Sequence, residues 1–520
     1  MTERRMIWGG AALLLAAGMA VRLWHIAAEP LWLDEAYSVY AADKGFGFLW
    51  QIVPRYEVHP PFYYSLLRLW TLLPGDGVAA VRALGAVAGL ATTGVAAATA
   101  LAAGRYLGWP RDRGVRLAII AFALACVSIV LVEMTRQVRP YPIMILTYAA
   151  ATLVLIRLAE RVRGGATVGG RLYVAYLLLV EAMLWLHNLG PLYAAALGLA
   201  LLAGVLRRDL RPADWAWLLG GHVVVILLYL PGLAMLLDQA AVWSESSWLR
   251  FGARGVPDTL VALYAAPGWP VGAAILLFGL AAMALVRIAG GTRLLLMLAM
   301  LAFVPVVLAI ILSLTVAPVF LARALSPVAV PALLLLAVGG AAFADWRRWA
   351  ALAAVVALCS NMLAVDVQAR AAGPIQDWYG TVAWLAQHFR PGDRILAYPN
   401  EGALPLRMAL HDKGLALPVR AIPGEVPAFD PTGWHPTGSR GVVSLPRWRL
   451  RRIADDPATR GIPTIWLLRL GAATYDKGDV FLHELHRGRY IVRSWQDGPI
   501  DIVGLRRLPT PPPAPPRNRR

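Results

Sequence analysis

The chain has 520 residues, of which 59% are hydrophobic and only 15% are charged, and its mean hydropathy is +0.59. This balance excludes an ordinary soluble domain and predicts an integral membrane protein. The formal net charge is +18, but no segment resembles a base-reading module, so we predict no nucleic-acid partner.

Long apolar stretches predict a polytopic, all-α domain over residues 1–367. A helix needs about 20 mostly apolar residues to cross a bilayer core about 30 Å thick. Eleven stretches approach that length: residues 6–26, 79–103, 117–134, 141–158, 172–186, 189–206, 215–237, 270–288, 294–314, 324–343 and 349–367. The stretch 172–186 is the shortest of them. Residues 1–20 also have the pattern of a cleavable signal peptide, but the length of the apolar run favours an uncleaved anchor.

Basic residues predict the orientation, because lysine and arginine are retained on the cytoplasmic side during insertion. The loops on the amino-terminal side carry seventeen of them, and the opposite short loops carry eight. We therefore expect a cytoplasmic amino terminus and, after eleven crossings, an extracytoplasmic carboxyl-terminal part. The high alanine and arginine content is typical of a bacterium with a GC-rich genome, which points to a bacterial cytoplasmic (inner) membrane.

Polar residues and turn signals replace the apolar runs after residue 367. Residues 368–508 predict a small extracytoplasmic α/β domain, with helices at 381–389 and 480–486, strands at 394–398 and 462–470, and two strands within 490–508 around the turn Asp497-Gly498. Residues 509–520 are proline-rich and then basic, which predicts a disordered tail.

The first outer loop carries the strongest chemical signal. Its segments 46–53 and 61–73 mix aromatic residues and leucines with charges, which favours amphipathic helices at the interface. Just after the first apolar stretch stand two adjacent carboxylates, Asp34 and Glu35. Such a pair at a membrane surface is either interfacial polarity or a general base that a lipid-borne substrate can reach, and we favour the base.

Several motifs occur in the order seen in GT-C glycosyltransferases. They are Arg22, Trp32-Leu33-Asp34-Glu35-Ala36-Tyr37, His59-Pro60-Pro61-Phe62-Tyr63-Tyr64, Arg82 and Arg139-Pro140-Tyr141. The membrane part is most similar to the branch that contains protein O-mannosyltransferases, the aminoarabinose transferase of lipid A and the core galacturonosyltransferases of rhizobial lipopolysaccharide. The carboxyl-terminal domain carries no such resemblance.

The resemblance implies transfer of a sugar, with inversion, from a polyprenyl-phosphate carrier to a hydroxyl acceptor on a lipid, glycan or protein at the outer face. Asp34 would remove the proton of the acceptor. A leaving phosphate needs fixed positive charge, and arginine supplies it with a planar fork of donors. Four arginines map to outer helix ends and are predicted phosphate ligands, with Arg323 the first choice by resemblance: Arg22, Arg82, Arg139 and Arg323.

The remaining predicted site residues each have a simpler alternative. Glu35 either orients the acceptor or interacts with a basic partner near Asp34. His59 either contacts the substrate or starts a helix, and Tyr63 and Tyr64 suit stacking against a sugar.

Arg139 and Tyr141 are either substrate contacts or interfacial anchors. His187 and Asn188 are expected to cap a helix, with a place in the lining of the cavity as the alternative. Glu181, inside a predicted membrane helix, is expected to face protein. The oxygen and nitrogen ligands of this region match no zinc spacing, so we expect no required metal, although a divalent ion remains an alternative.

Two other classes of protein compete with the enzyme. A transporter or flippase for lipid-linked sugars would also have many crossings, but transporters show paired halves with matching broken helices, and the sequence shows none. A noncatalytic scaffold of the cell envelope is the second alternative.

Overall fold

The structure is a computed structural model and describes residues 16–57, 59–206, 210–246, 250–428 and 445–509. The chain forms two compact units. The helical unit comprises Met1–Ala28 and Ala41–Gly373. The α/β unit comprises Glu29–Tyr40 and Pro374–Arg520. The segment that carries Asp34 and Glu35 therefore groups with the carboxyl-terminal part of the chain.

Seventeen α-helices are described between residue 16 and Gly373. They are α1 (residues 16–23), α2 (Leu33–Asp43, which runs from one unit into the other), α3 (Gly45–Gln51), α4 (Phe62–Thr71), α5 (Val78–Tyr106), α6 (Arg111–Val127), α7 (Ile129–Thr135), α8 (Tyr141–Arg163), α9 (Arg171–Leu186), α10 (Gly190–Val205), α11 (Pro212–Ser246), α12 (Val256–Tyr264), α13 (Pro270–Leu285), α14 (Gly291–Thr315), α15 (Ala322–Leu325), α16 (Ala329–Ala341) and α17 (Arg347–Ala371). Helices α3 and α4 confirm the two predicted helices of the first loop.

Six helical segments within the described residues are long and apolar enough to cross a membrane, and a seventh arises if the bent pair α6 and α7 is one span. The six are Val78–Tyr106, Tyr141–Arg163, Pro212–Ala240, Gly291–Thr315, Ala322–Ala341 and Arg347–Ala371. Helices α10 and α13 are apolar but shorter. The count of eleven crossings stays a prediction, and part of its first stretch lies outside the described residues.

Helix α16 forms the centre of the helical unit. All 13 of its residues are buried, and α6, α13 and α14 pack around it. Helix α11 shows the opposite pattern, because most of its leucines and valines between Leu219 and Leu237 are exposed. A helix that is apolar all round is stable in a protein core or in lipid. Helix α16 therefore contacts protein on all sides, and α11 has a surface suited to contact with lipid.

Two glycines let α5 approach α7 closely. A side chain at Gly85 would meet the main-chain oxygen of Thr135, and a side chain at Gly89, four residues on, would meet the Thr135 side chain and the Arg22 guanidinium. Small residues at this spacing are a common device for close helix contacts in membranes. The contact places α7, and the loop that follows it, directly against α5.

The α/β unit contains a five-stranded sheet in the order β2-β1-β3-β5-β4. The strands are β1 (Arg394–Tyr398), β2 (Val419–Ala421), β3 (Thr464–Leu470), β4 (Arg489–Asp497) and β5 (Ile500–Arg507). Strands β1, β2 and β3 are parallel, and β5 is antiparallel to both β3 and β4. The predicted strands and the hairpin at Asp497-Gly498 are confirmed. The short strand β2 was not predicted.

Helices cover both faces of the sheet. They are α18 (Trp378–His388), α19 (Ala403–Asp412), α20 (Arg447–Asp455), α21 (Pro457–Arg460), α22 (Ala472–Tyr475) and α23 (Val480–His486). One apolar cluster includes Trp378 and Trp466, and the other includes Phe481. Because β3 is buried along its whole length, it reads as an apolar run rather than as an alternating strand. The predicted tail lies outside the described residues except for residue 509.

The close contact of α5 and α7 predicts a position-dependent effect of adding one methyl group. Gly89→Ala should destabilise the helical unit by about 1–3 kcal/mol, because the new methyl overlaps Thr135 in a packed contact. Gly94→Ala in the same helix meets nothing within 4 Å and should be neutral or stabilising by up to about 1 kcal/mol. Thermal unfolding of the two variants in detergent separates these cases, and equal melting temperatures would contradict the packing.

Candidate active site

The clearest polar cluster of the helical unit surrounds His59, in the loop before α4. Its Nδ1 lies 2.8 Å from Oε1 of Glu57. Nη2 of Arg139, which precedes α8, lies 3.3 Å from Nε2 and 3.4 Å from Nδ1 of the same ring. All three side chains are buried. A carboxylate, an imidazole and a guanidinium therefore meet in a place of low solvent access, where electrostatic interactions are strong.

His187, in the turn between α9 and α10, completes this cluster. Its ring centroid lies 4.7 Å from that of His59, at 82°, and 6.0 Å from that of Tyr141. The main-chain N–H of Leu189 donates to its Nδ1 at 3.0 Å. Nδ1 is therefore an acceptor, which leaves the ring proton of the neutral imidazole on Nε2. His187 is the C-cap residue of α9, and its ring also belongs to the His59 cluster. The first residue before α10, Leu189, has no side-chain cap hydrogen bond, so the predicted cap of that helix by these side chains is not observed.

A side-chain relay fixes the loop that carries Glu57. Nδ2 of Asn188 donates to Oε1 of Gln239 at 2.7 Å. Nε2 of Gln239, on α11, donates to the main-chain oxygens of Glu57 and Pro54. The loop before His59 is thus hydrogen-bonded to α11. Such second contacts hold a site residue in one orientation.

Three arginines near these helices bind main-chain oxygens. Arg22 is fully buried and donates to the oxygens of Ala125 and Cys126, in the last turn of α6. Those oxygens need donors because α6 stops at the extended Ser128, where the chain bends by 56° into α7. Arg136 donates in the same way to Trp24 at 2.8 Å, after the end of α1.

Arg82 donates to the main-chain oxygen of Ile26 at 2.9 Å. Arg22 and Arg82 were predicted to bind the phosphate of a donor, and their observed partners give both a structural role at helix ends. Their part in substrate binding stays a prediction.

Arg323, the predicted phosphate ligand, lies in the four-residue helix α15 and is half-buried. It interacts electrostatically with Glu133 of α7 and with His187. Because His187 is also within electrostatic reach of Arg139, Arg139 and Arg323 belong to one neighbourhood. Two guanidinium groups therefore lie around one pair of histidines, and the carboxylates of Glu57 and Glu133 lie beside them.

The two tyrosines of the His-Pro-Pro motif lie in the first turn of α4. Tyr63 and Tyr64 are both buried, and their ring centroids are 5.7 Å apart. They were predicted to suit sugar stacking, which stays a prediction. Tyr141 is the first residue of α8 and is buried. Glu181 is half-buried and accepts a hydrogen bond from Nε1 of Trp185 at 2.7 Å, one turn along α9.

The acid pair lies in the first turn of α2, within the α/β unit. Asp34 is 6% exposed and Glu35 is 1% exposed. Oε2 of Glu35 accepts the main-chain N–H of Trp32 at 3.4 Å, as the third residue of a helix does in a capping box. Both carboxylates therefore lie at the amino-terminal end of the helix, where the helix dipole is positive.

The start of α2 is anchored to the α/β unit at two points. The N–H of Leu33 donates to Oε1 of Gln376 at 3.1 Å, and the Tyr40 hydroxyl donates to the main-chain oxygen of Val426 at 2.6 Å. The side chain of Leu33 also packs against the cluster that contains Trp378. The carboxyl-terminal domain therefore holds the segment that presents Asp34, a role that the sequence did not indicate.

Glu57 and Gln239 were missed by sequence reasoning. A signal for Glu57 was present, since it stands two residues before His59 in an otherwise aromatic and apolar loop. Gln239 had none, because its contacts depend on how α11 packs. Among the residues that the structure describes, no group of three or more histidine, cysteine, aspartate or glutamate residues is arranged to hold a metal ion.

This fold is that of a class of membrane enzymes, the GT-C glycosyltransferases, and solved structures show the likeness over nearly the whole chain. ArnT from Cupriavidus metallidurans in the apo state matches with a TM-score of 0.61 and 14% identity, over 97% of this chain and 98% of that one. The same protein bound to undecaprenyl phosphate matches with a TM-score of 0.58 and 15% identity, over 95% and 98%.

A more distant likeness is to the mycobacterial arabinofuranosyltransferase AftD, with a TM-score of 0.50 and 15% identity, over 97% of this chain but 40% of that one. No protein-family model and no curated protein sequence matches the chain. The chain has the GT-C fold, as its motifs predicted. Its long apolar helices are those of a multi-pass membrane protein, as its apolar stretches predicted.

The state of His187 predicts a pH dependence of stability. Burial, and then the neighbouring His59, Arg139 and Arg323, lower the pKa of His187 well below its ordinary value of 6.5. At mildly acidic pH, His187 therefore binds a proton in the unfolded chain but not in the folded chain. Stability should fall as the pH drops through about 6.5, the pKa of an unfolded histidine.

Melting temperatures of the native protein and of His187→Gln, measured in detergent between about pH 7.5 and about pH 5, test this. The native protein should lose more stability over that interval than the variant, which lacks the titrating ring. Parallel curves would contradict a neutral His187.

Proposed function

We propose that this chain is an integral-membrane glycosyltransferase that moves a sugar, with inversion, from a polyprenyl-phosphate carrier to a hydroxyl acceptor at the outer face of the bacterial cytoplasmic membrane. The observation that carries the proposal is the buried cluster of Glu57, His59, Arg139 and His187, with Arg323 in its electrostatic neighbourhood, inside a GT-C fold. The acceptor is a lipid, a glycan or a protein of the envelope.

The chemistry of transfer explains why two arginines lie in and beside this cluster. The acceptor oxygen forms a bond to the anomeric carbon while the bond from that carbon to the phosphate oxygen breaks, and polyprenyl phosphate leaves with the electron pair. The departing group is an anion. Arg139 and Arg323 bind it, and the donors are already oriented by their surroundings, so little reorganisation is needed as charge develops. The neutral His187 adds an Nε2–H donor without adding charge.

Asp34 acts as the general base in this proposal. It takes the proton of the acceptor hydroxyl as the new bond forms. Its place in the first turn of α2 supports the role, because hydrogen bonds hold the start of this helix and a base needs a fixed position relative to the proton that it takes. Glu35 is hydrogen-bonded to Trp32 and orients this turn. Transfer needs no metal in this scheme.

The donor class is supported by the similar structures. ArnT, whose fold this chain shares, has been solved with undecaprenyl phosphate. A lipid carrier also suits an active site on the outer face, since nucleotide sugars are made in the cytoplasm and the donor must then arrive within the bilayer.

Replacing Asp34 tests the base. Asp34→Asn keeps the shape of the side chain but removes its ability to accept a proton, so sugar transfer should fall by about 100-fold or more. Asp43→Asn is the matched control, because Asp43 ends the same helix and is exposed. Transfer is measured with the purified protein in nanodiscs. A flippase or a scaffold would keep its function in both variants, and undiminished transfer by Asp34→Asn would refute the base.

Replacing Arg139 tests the phosphate site separately from turnover. A hydrogen bond to a charged group contributes about 1.5–3 kcal/mol, so Arg139→Gln should weaken equilibrium binding of undecaprenyl phosphate by about 10- to 100-fold. Arg254→Gln, at an exposed arginine of the same unit, should leave the affinity unchanged. Equal affinities of the two variants would remove Arg139 from the site.

A further inference from the structure

Three of the buried tyrosines in the helical unit donate their hydroxyl protons to main-chain oxygens around α14 and α15. Tyr148 of α8 donates to Leu301 at 2.8 Å. Tyr264 of α12 donates to Ala302 at 2.6 Å. Tyr193 of α10 donates to Ala324 at 2.6 Å. The bonds are similar in chemistry and in burial, but they hold different parts of the chain.

The Tyr148 bond has a local explanation in α14. Pro305 lies inside this helix and has no N–H, so the oxygen of Leu301, four residues earlier, loses its helical donor. The Tyr148 hydroxyl replaces that donor. Tyr264 binds the next oxygen along the same helix, that of Ala302. Both tyrosines therefore stabilise the interrupted part of α14.

The Tyr193 bond has a different target. Ala324 is the neighbour of Arg323 in α15, which has only four residues and follows the extended Leu321. One turn of helix has little stability of its own, so contacts with other elements determine its orientation. Tyr193 supplies such a contact from α10. Its ring is fully buried and lies 5.1 Å from the ring of Tyr148, at 72°, so the hydroxyl has a fixed position.

We propose that Tyr193 is a positioning residue that fixes the backbone of α15 and thereby holds the Arg323 guanidinium in place for the phosphate of the lipid-borne donor. This inference rests on the proposed function, in which Arg323 binds that phosphate. Tyr193 itself touches no substrate. The hydroxyl acts through the backbone, because an arginine on an unfixed turn would lose part of its affinity to the entropy of ordering it.

The test compares Tyr193→Phe with Tyr264→Phe in the purified full-length protein. Each variant loses one hydroxyl and one hydrogen bond of the same length, but only the bond of Tyr193 is made to α15. Equilibrium binding of undecaprenyl phosphate should weaken by about three- to tenfold in Tyr193→Phe and by less than about twofold in Tyr264→Phe. Melting temperatures should fall by similar amounts in both variants, since a purely structural loss is common to them.

Combining Tyr193→Phe with a substitution of Arg323 distinguishes the positioning of Arg323 from a general loss of stability. In the Arg323→Gln background, Tyr193→Phe should cause no further loss of affinity, whereas independent effects would add. The inference would be overturned if Tyr193→Phe and Tyr264→Phe bound undecaprenyl phosphate with equal affinity. It would also be overturned if Tyr193→Phe weakened binding as much in the Arg323→Gln background as in the native protein. Either result would leave the proposed function intact. If Arg323→Gln alone does not weaken binding, the phosphate role of Arg323 is refuted and the inference with it.

Discussion

The helical unit depends on hydrogen-bond donors for the main-chain oxygens that are exposed where a buried helix ends or bends. An oxygen without a donor in such surroundings is costly, and a membrane offers no solvent to satisfy it. Arg22 supplies donors at the break between α6 and α7, and Tyr148 does so at Pro305. These contacts make irregular backbone tolerable inside the unit. The irregular places are also where the proposed chemistry is located, since α15 and the loop of His59 lie outside the long helices.

The same constraint separates two kinds of arginine that the sequence presents alike. Arg22 and Arg82 donate to main-chain oxygens, so much of their hydrogen-bonding capacity serves the fold. Arg139 lies against an imidazole, and Arg323 sits on a short helix held by Tyr193.

The sequence predicted the fold well where one residue pattern admits one structure. The apolar runs predicted helices such as α5 and α8, and the turn Asp497-Gly498 predicted the hairpin of β4 and β5. It could not predict that the start of α2 packs with the carboxyl-terminal unit, because the bond from Leu33 to Gln376 joins residues far apart in the chain. The motifs identified the loop of His59 but not the carboxylate beside it, since Glu57 acquires its role only through geometry.

The proposed function requires that the chain release a sugar from a polyprenyl-phosphate carrier. The decisive experiment incubates the purified protein, in nanodiscs with envelope lipids and glycans as acceptors, with a panel of labelled polyprenyl-phosphate sugars. Chromatography then follows the label as it leaves the carrier lipid. We expect time-dependent loss of label from one donor class, with free polyprenyl phosphate and a glycosylated acceptor in equal amounts. Label that stays on its intact carrier in every reaction would refute the release of sugar.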